Sequence, residues 1–209
     1  MFRCKPTVPP VTGWLEISLE RNIIDYLNTR IDAAIAEDDS VKDQLAGHIS
    51  SSLNLIDKDD FFTNNVLLKC AEQYYQAFSA YPSRNINHAS TTNNLVLNDW
   101  WVNFQKKHEY NPTHGHGGLY SFVVWMKIPT DSKEQSKLDF LKGLAKSNVS
   151  NFEMTYMDTL GDICQYTYDM SPLSEGRMLF FPAKMKHCVY PFYECDEDRI
   201  TISGNLYFK

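Results

Sequence analysis

Residues 100–127 read WWVNFQKKHEYNPTHGHGGLYSFVVWMK, two aromatic-rich stretches on either side of a turn rich in glycine and histidine. In the first stretch the period is two. Trp100, Val102 and Phe104 fall on one face of an extended chain, and Trp101, Asn103 and Gln105 on the other. The second stretch, LYSFVVWMK (119–127), is apolar on both faces and predicts a central strand covered on both sides. Strands of these two kinds, joined by a turn, point to a packed sheet rather than to a helical bundle.

Toward the C-terminus the same grammar continues. Phe152–Asp158 and Asp162–Asp169 flank Leu160-Gly161, a hairpin signal, and Pro172 and Gly176 mark a turn before Met178–Phe181. The stretch RITISGNLYF (199–208) alternates again: Ile200, Ile202 and Leu206 share one face, and Arg199, Thr201, Ser203 and Asn205 the other. Such a polar face meets water at a sheet edge or lines a polar cavity. Residues 131–148 are polar, with Leu138, Leu141 and Ala145 at helical spacing, and predict a short inserted helix, either a lid or surface decoration.

Toward the N-terminus the period becomes helical. Ser18 is a candidate cap for a helix carrying Ile24, Leu27, Ile31 and Ile35. Ser40-Val41-Lys42-Asp43 has capping-box form. A further helix from about Asp59 carries Leu67, Ala71, Tyr74 and Phe78, with Pro82 as its stop. Helices followed by roughly seven short strands predict a β-sandwich or jelly roll braced by helices. At 209 residues the chain is expected to be a single domain, residues 1–82 a mainly helical brace and 95–208 the β core.

The balance of 26 acidic against 20 basic residues leaves no basic stripe and excludes a duplex nucleic-acid binder. Five scattered cysteines without a Cys-x-x-Cys pair read as reduced thiols, hence a cytoplasmic protein. No apolar run has the length of a signal peptide or a membrane span, so no membrane partner is expected.

Among the six histidines, His114-x-His116 stands out. In an extended segment, residues two apart point to the same side, so both imidazoles reach one ion. His187, after Phe180-Phe181-Pro182, is the natural third ligand. Three protein ligands suit catalysis, since structural zinc sites close with four, and imidazole alone suits iron, zinc, copper or nickel. His108-Glu109 does not continue into His-Glu-x-x-His, and His48 and His88 read as surface or capping residues. Arg199 offers a guanidinium fork suited to a carboxylate, with Thr201 on the same strand face; the competing reading pairs it with the acidic loop 194–198.

The blocks WWVNFQKKHEYNPTHGHGGLYSFVVWM, GRMLFFPAKMKH and DEDRITISGNL together resemble the 2-oxoglutarate- and iron(II)-dependent oxygenases of phages and bacteria, relatives of the prolyl hydroxylases. The resemblance covers roughly residues 95–208. It implies a double-stranded β-helix, a cupin-like jelly roll with the metal in its mouth. By the same resemblance His114, His116 and His187 bind Fe(II), and Arg199 and Thr201 bind 2-oxoglutarate, with Asn103 or Gln105 touching that co-substrate. The implied reaction uses O2, with ascorbate as an accessory reductant, to hydroxylate an unactivated C–H bond while releasing succinate and CO2. The substrate would be a prolyl or other peptide or protein side chain, or a small molecule. Trp101, Tyr110 and Tyr120 are candidates to stack on it. For a phage-encoded chain the compartment would be the host cytoplasm. One departure stands out: His116 occupies the position of the family's usual carboxylate, which leaves the site one unit more positive. That departure keeps open a three-histidine cupin-type dioxygenase without 2-oxoglutarate, a site in which one of the pair does not ligate, or a non-catalytic jelly-roll module.

Overall fold

The alternation along 199–208 and 100–105 sorts each strand into an oily and a polar face, and two layers form where the oily faces are covered. The computed structural model describes residues 3–5, 12–78, 95–145 and 147–209. Its elements run β1 (Leu15–Ser18), α1 (Arg21–Glu37), β2 (Ser51–Asn54), a π-helical turn at Thr63–Leu67 leading into α2 (Leu68–Phe78), β3 (Leu95–Gln105), β4 (Asn111–His114), β5 (Tyr120–Lys127), the single turn α3 (Ser132–Gln135), β6 (Phe152–Met157), β7 (Ile163–Tyr168), β8 (Arg177–Pro182), β9 (Lys186–Val189) and β10 (Arg199–Phe208).

Six strands form a major sheet in the order β1-β8-β5-β10-β3-β2, and four a minor sheet in the order β4-β9-β6-β7, with every pairing antiparallel. The crossovers between sheets make a jelly-roll sandwich, as expected. β5 lies inside the major sheet and is buried on both faces. Phe122 and Val124 join the helix-side core, while Val123 and Trp125 pack between the sheets with Phe152, Met154, Leu179 and Phe181.

The helices seal the outer face of the major sheet. Leu67, Ala71 and Tyr74 are buried there, and Phe62 stacks on Trp100 with ring centroids 5.7 Å apart. On α1 the buried stripe is Ile23, Leu27, Ile31 and Ala34, one residue around from the expected one; Ile35 is 54% exposed. The helix is entered through Glu20 rather than Ser18, because Ser18 is already paired with Arg177 at the end of β1.

Alongside the N-terminal helices, β1 and β2 each add an outer strand to the major sheet. Two further expectations are corrected. The helix at Ser40 is only a 3-10 turn at Lys42–Gln44, because Ser40 bridges to Leu53 instead. The described residues of 131–148 hold one helical turn and a 3-10 turn at Asp139–Leu141, not a continuous helix; ψ opens to 144° at Leu138 between the two turns and to 134° at Lys142 after the second. Pro82 and His88 lie outside the described residues. No helix among the described residues is long and apolar enough to cross a membrane.

Candidate metal centre

β4 and β9 run side by side in the minor sheet, and their register places His114 directly opposite His187. His116 follows two residues later on the loop that returns to the major sheet. Its backbone N–H donates to Ala183 O at 2.7 Å, which ties the loop to the turn before β9. This loop depends on its glycines. A Cβ on Gly117 would stand 2.7 Å from Tyr207 Oη, and Gly118 adopts φ 78° with Leu206 O just as close to any added Cβ.

One candidate ligand atom from each of the three imidazoles lies within 4.8 Å of the others. His114 Nδ1 donates to Pro112 O at 2.7 Å and His187 Nδ1 to Met185 O at 3.2 Å. Each ring is thus anchored to the carbonyl two residues before it, which leaves its Nε2 lone pair free to face the centre. His116 Nε2 and His187 Nε2 are 3.2 Å apart. Imidazole–metal bonds of about 2.0–2.1 Å meeting at a right angle put two nitrogens roughly 3 Å apart, so this spacing fits adjacent ligands on one ion. The cluster fits an iron site. Burial drives all three imidazoles toward the neutral, ligating form: His116 is pushed down to about 4, His114 is lowered, and His187 lies well below the usual histidine range.

The walls are aromatic. Phe152 stacks on His187 at 5.7 Å, Phe181 meets it edge-on at 5.0 Å, and Trp101 leans on His116 at 5.8 Å. Behind them lies an inner cavity of about 40 Å³ lined by the histidines, Trp101, Asn103, Gln105, Arg199, Thr201 and Ser203. The polar faces of β3 and β10 therefore line one chamber: Arg199 pairs with Gln105, Thr201 with Asn103 and Ser203 with Trp101.

Arg199 is 1% exposed and forms no ion pair among the described residues. The acidic loop does not reach it, for Asp196 pairs with Lys107 and Glu197 with Lys127. Its Nη2 donates to Ser150 O at 2.7 Å and to Ser150 Oγ at 2.6 Å, and Nη1 makes a long contact of 3.5 Å to Tyr190 O. Phe192 lies 5.1 Å under the guanidinium, and Nε is buried with no partner among the described residues. Burial lowers the guanidinium to about 10. A buried cation with an unused donor and no counter-ion is costly unless an anion joins it.

A wider outer cavity of about 360 Å³ opens on the far side of His114 and His116, lined by Gln44, Asn54, Asn98, Asn111, Asn205 and Trp101 among others. Asn111 borders both cavities and its buried Oδ1 has no partner among the described residues. Neither Ser150 nor Asn111 carries a motif that the sequence reading could have singled out. Tyr120 is not at the mouth; it is fully buried in the helix-side core beside Tyr74, and Tyr110 packs on His48. Glu109 accepts from the backbone N–H groups of Ser50 and Lys106 and is not part of the histidine cluster.

The family model described as "Putative 2OG-Fe(II) oxygenase" matches residues 99–205, the span that holds all three histidines and Arg199, and the chain belongs to that family. It is a 2-oxoglutarate- and Fe(II)-dependent oxygenase, with a double-stranded β-helix built from two antiparallel sheets. In fold it is similar to a prolyl-4-hydroxylase of Pseudomonas putida, at 15% identity and a TM-score of 0.53 over 95% of this chain and 94% of that one. It is also similar to SnoK, an alpha-ketoglutarate-dependent carbocyclase from nogalamycin biosynthesis, at 8% identity and a TM-score of 0.57 over 95% and 80% of the two chains. The epimerase SnoN, solved with Fe3+, alpha ketoglutarate and nogalamycin RO, is similar at 12% identity and a TM-score of 0.51 over 94% and 79%. At these identities the likeness is one of fold. No curated protein matches the chain in sequence.

Proposed function

We propose that His114, His116 and His187 hold Fe(II), that Arg199 receives the distal carboxylate of 2-oxoglutarate with Thr201 beside it, and that the outer cavity takes a peptide or protein side chain for hydroxylation. The observation that carries this reading is the buried, unpaired guanidinium of Arg199 in the same chamber as the three imidazoles. A dicarboxylate that reaches the metal at one end needs a cation fixed at the other, and Arg199 offers its charge and the N–H of its unpartnered Nε for it.

The chemistry that iron and 2-oxoglutarate supply when bound is oxidative: O2 and 2-oxoglutarate become succinate and CO2 while one C–H bond of the substrate gains a hydroxyl. The chain's own residues prepare that chemistry. Pro112 O and Met185 O hold the protons of His114 and His187 at Nδ1, which keeps both Nε2 atoms as donors of electron pairs. Phe152, Phe181 and Trp101 exclude water from the chamber. Asn103 accepts from Ser52 through Oδ1 and has its Nδ2 left for the co-substrate. Gln105 spends its Nε2 on Glu109 O and is the weaker candidate for a carboxylate.

The carboxamides lining the outer cavity, Gln44, Asn54, Asn98 and Asn111, offer paired donors and acceptors of the kind a peptide backbone also presents. All the protein's cysteines are free thiols, which fits work in a reducing, cytoplasmic compartment. The N-terminal helices share one core with the major sheet, which supports a single oxygenase unit. Under argon, Fe(II) plus 2-oxoglutarate should give a weak visible charge-transfer band that His187→Ala abolishes. Succinate release across a peptide library should then identify the substrate. Iron binding without any affinity for 2-oxoglutarate would instead assign a three-histidine dioxygenase that dispenses with that co-substrate.

A further inference from the structure

The segment 131–150 sits between β5 and β6 and ends at Ser150, a fully buried residue at φ 63°. A non-glycine side chain in the left-handed region is held there against a local steric cost. The contacts that hold it are specific. Ser150 N–H donates to Pro191 O at 2.8 Å, and its hydroxyl lies 2.8 Å from Thr130 Oγ1. Both oxygens of Ser150, carbonyl and hydroxyl, then accept from one nitrogen of Arg199.

The segment is also sewn to the loop that precedes Arg199. Gln135 Nε2 donates to Tyr193 O at 2.9 Å while Tyr193 N–H donates to Gln135 Oε1 at 2.8 Å. Tyr190 N–H donates to Asn151 O at 2.9 Å, and Phe140 meets Tyr193 edge-on. The two loops therefore close a frame around one guanidinium, with Phe192 as its floor.

We infer that Ser150 is a positioning residue for co-substrate binding: by taking both protons of Arg199 Nη2 it fixes the plane of the guanidinium, so that the unpartnered Nε edge faces the chamber. The inference rests on Arg199 being the 2-oxoglutarate residue. On this reading residues 131–150 are neither lid nor decoration; their last residue sets the aim of the arginine, and the rest anchors that residue. A guanidinium keeps its charge without Ser150 but loses its orientation, so affinity falls without touching the metal.

The test is calorimetric titration of the iron-loaded full chain with 2-oxoglutarate under argon, in parallel with iron binding. Ser150→Ala and Ser150→Gly should each weaken 2-oxoglutarate about tenfold, the scale of one lost hydrogen bond to a charged group, with iron affinity unchanged. Ser150→Gly also relieves the left-handed backbone, so its thermal midpoint should stay level or rise, and weakened binding cannot then be ascribed to misfolding. Thr130→Val, which leaves Ser150 in place but frees its hydroxyl, should show a smaller loss in the same direction. The inference is overturned if Ser150→Gly binds 2-oxoglutarate like the parent while Arg199→Ala has lost it. Should Arg199→Ala itself bind normally, the assignment of the arginine falls first and the role of Ser150 with it.

Discussion

The two faces of β10 are built from the same ten residues and solve opposite problems. Toward the helices, Ile202 and Leu206 are fully buried among Val102, Phe122 and Leu67. Toward the minor sheet, Arg199, Thr201 and Ser203 line a chamber with three neutral imidazoles. One face lowers the free energy of folding by removing apolar surface from water. The other places a desolvated cation where folding gains nothing from it. The contrast separates residues whose burial stabilises the fold from residues whose burial folding alone does not reward, and it makes the two classes experimentally distinct.

The largest effect should come from the three imidazoles proposed to hold iron. His187→Ala should lower iron affinity beyond the roughly 10–100-fold that loss of an outer-shell partner costs, read by chelator competition. Arg199→Met should come next, weakening 2-oxoglutarate by about 30-fold or more, the range for truncating one partner of a buried charged pair. Its folding stability should hold or rise, since an apolar side chain replaces an uncompensated charge. A large loss of stability in Arg199→Met would erase the contrast between the two faces.

Ile202→Ala makes the reverse cut. It should cost about 2–5 kcal/mol in denaturant unfolding and leave the 2-oxoglutarate affinity of the folded protein near its starting value. A smaller effect comes from pH. His116, held down to about 4, carries fewer protons in the folded chain than in the unfolded chain between that value and the usual 6.5. Stability of the iron-free protein should therefore be fully present above about 6.5 and fall as pH drops toward 4, whereas protons should displace iron from the folded site only as the pH reaches about 4 and below. Thermal unfolding of the iron-free chain across that range measures the first, and iron retention on a desalting column the second.

Long strands were legible because their side-chain period persists. Trp100 to Gln105 and Arg199 to Leu206 sort into the faces expected of them, and the hairpin at Leu160-Gly161 forms as β6 and β7. Short elements were not. β1 and β2 have four residues each, too few for a period to show, and they exist because β8 and β3 offer them an edge. The helix expected over 131–148 had the right spacing of Leu138, Leu141 and Ala145. Contacts such as Gln135 with Tyr193 hold that stretch in another shape. On α1 the helix itself was readable, yet packing turned it by one residue and left Ile35 in solvent.

The sequence by itself determined the chemistry available: imidazoles two apart at 114 and 116, a third at 187, and an arginine followed by a threonine on an alternating strand. Those facts depend on residue type and on the local geometry of an extended chain. Only the tertiary structure decided that β4 lies against β9, so that residues distant in the chain meet within coordinating distance. It also decided that Arg199 ignores its acidic neighbours and turns to Ser150. Pairing between distant strands and the choice among competing partners are settled by burial and close packing of the whole chain, and no local pattern encodes them.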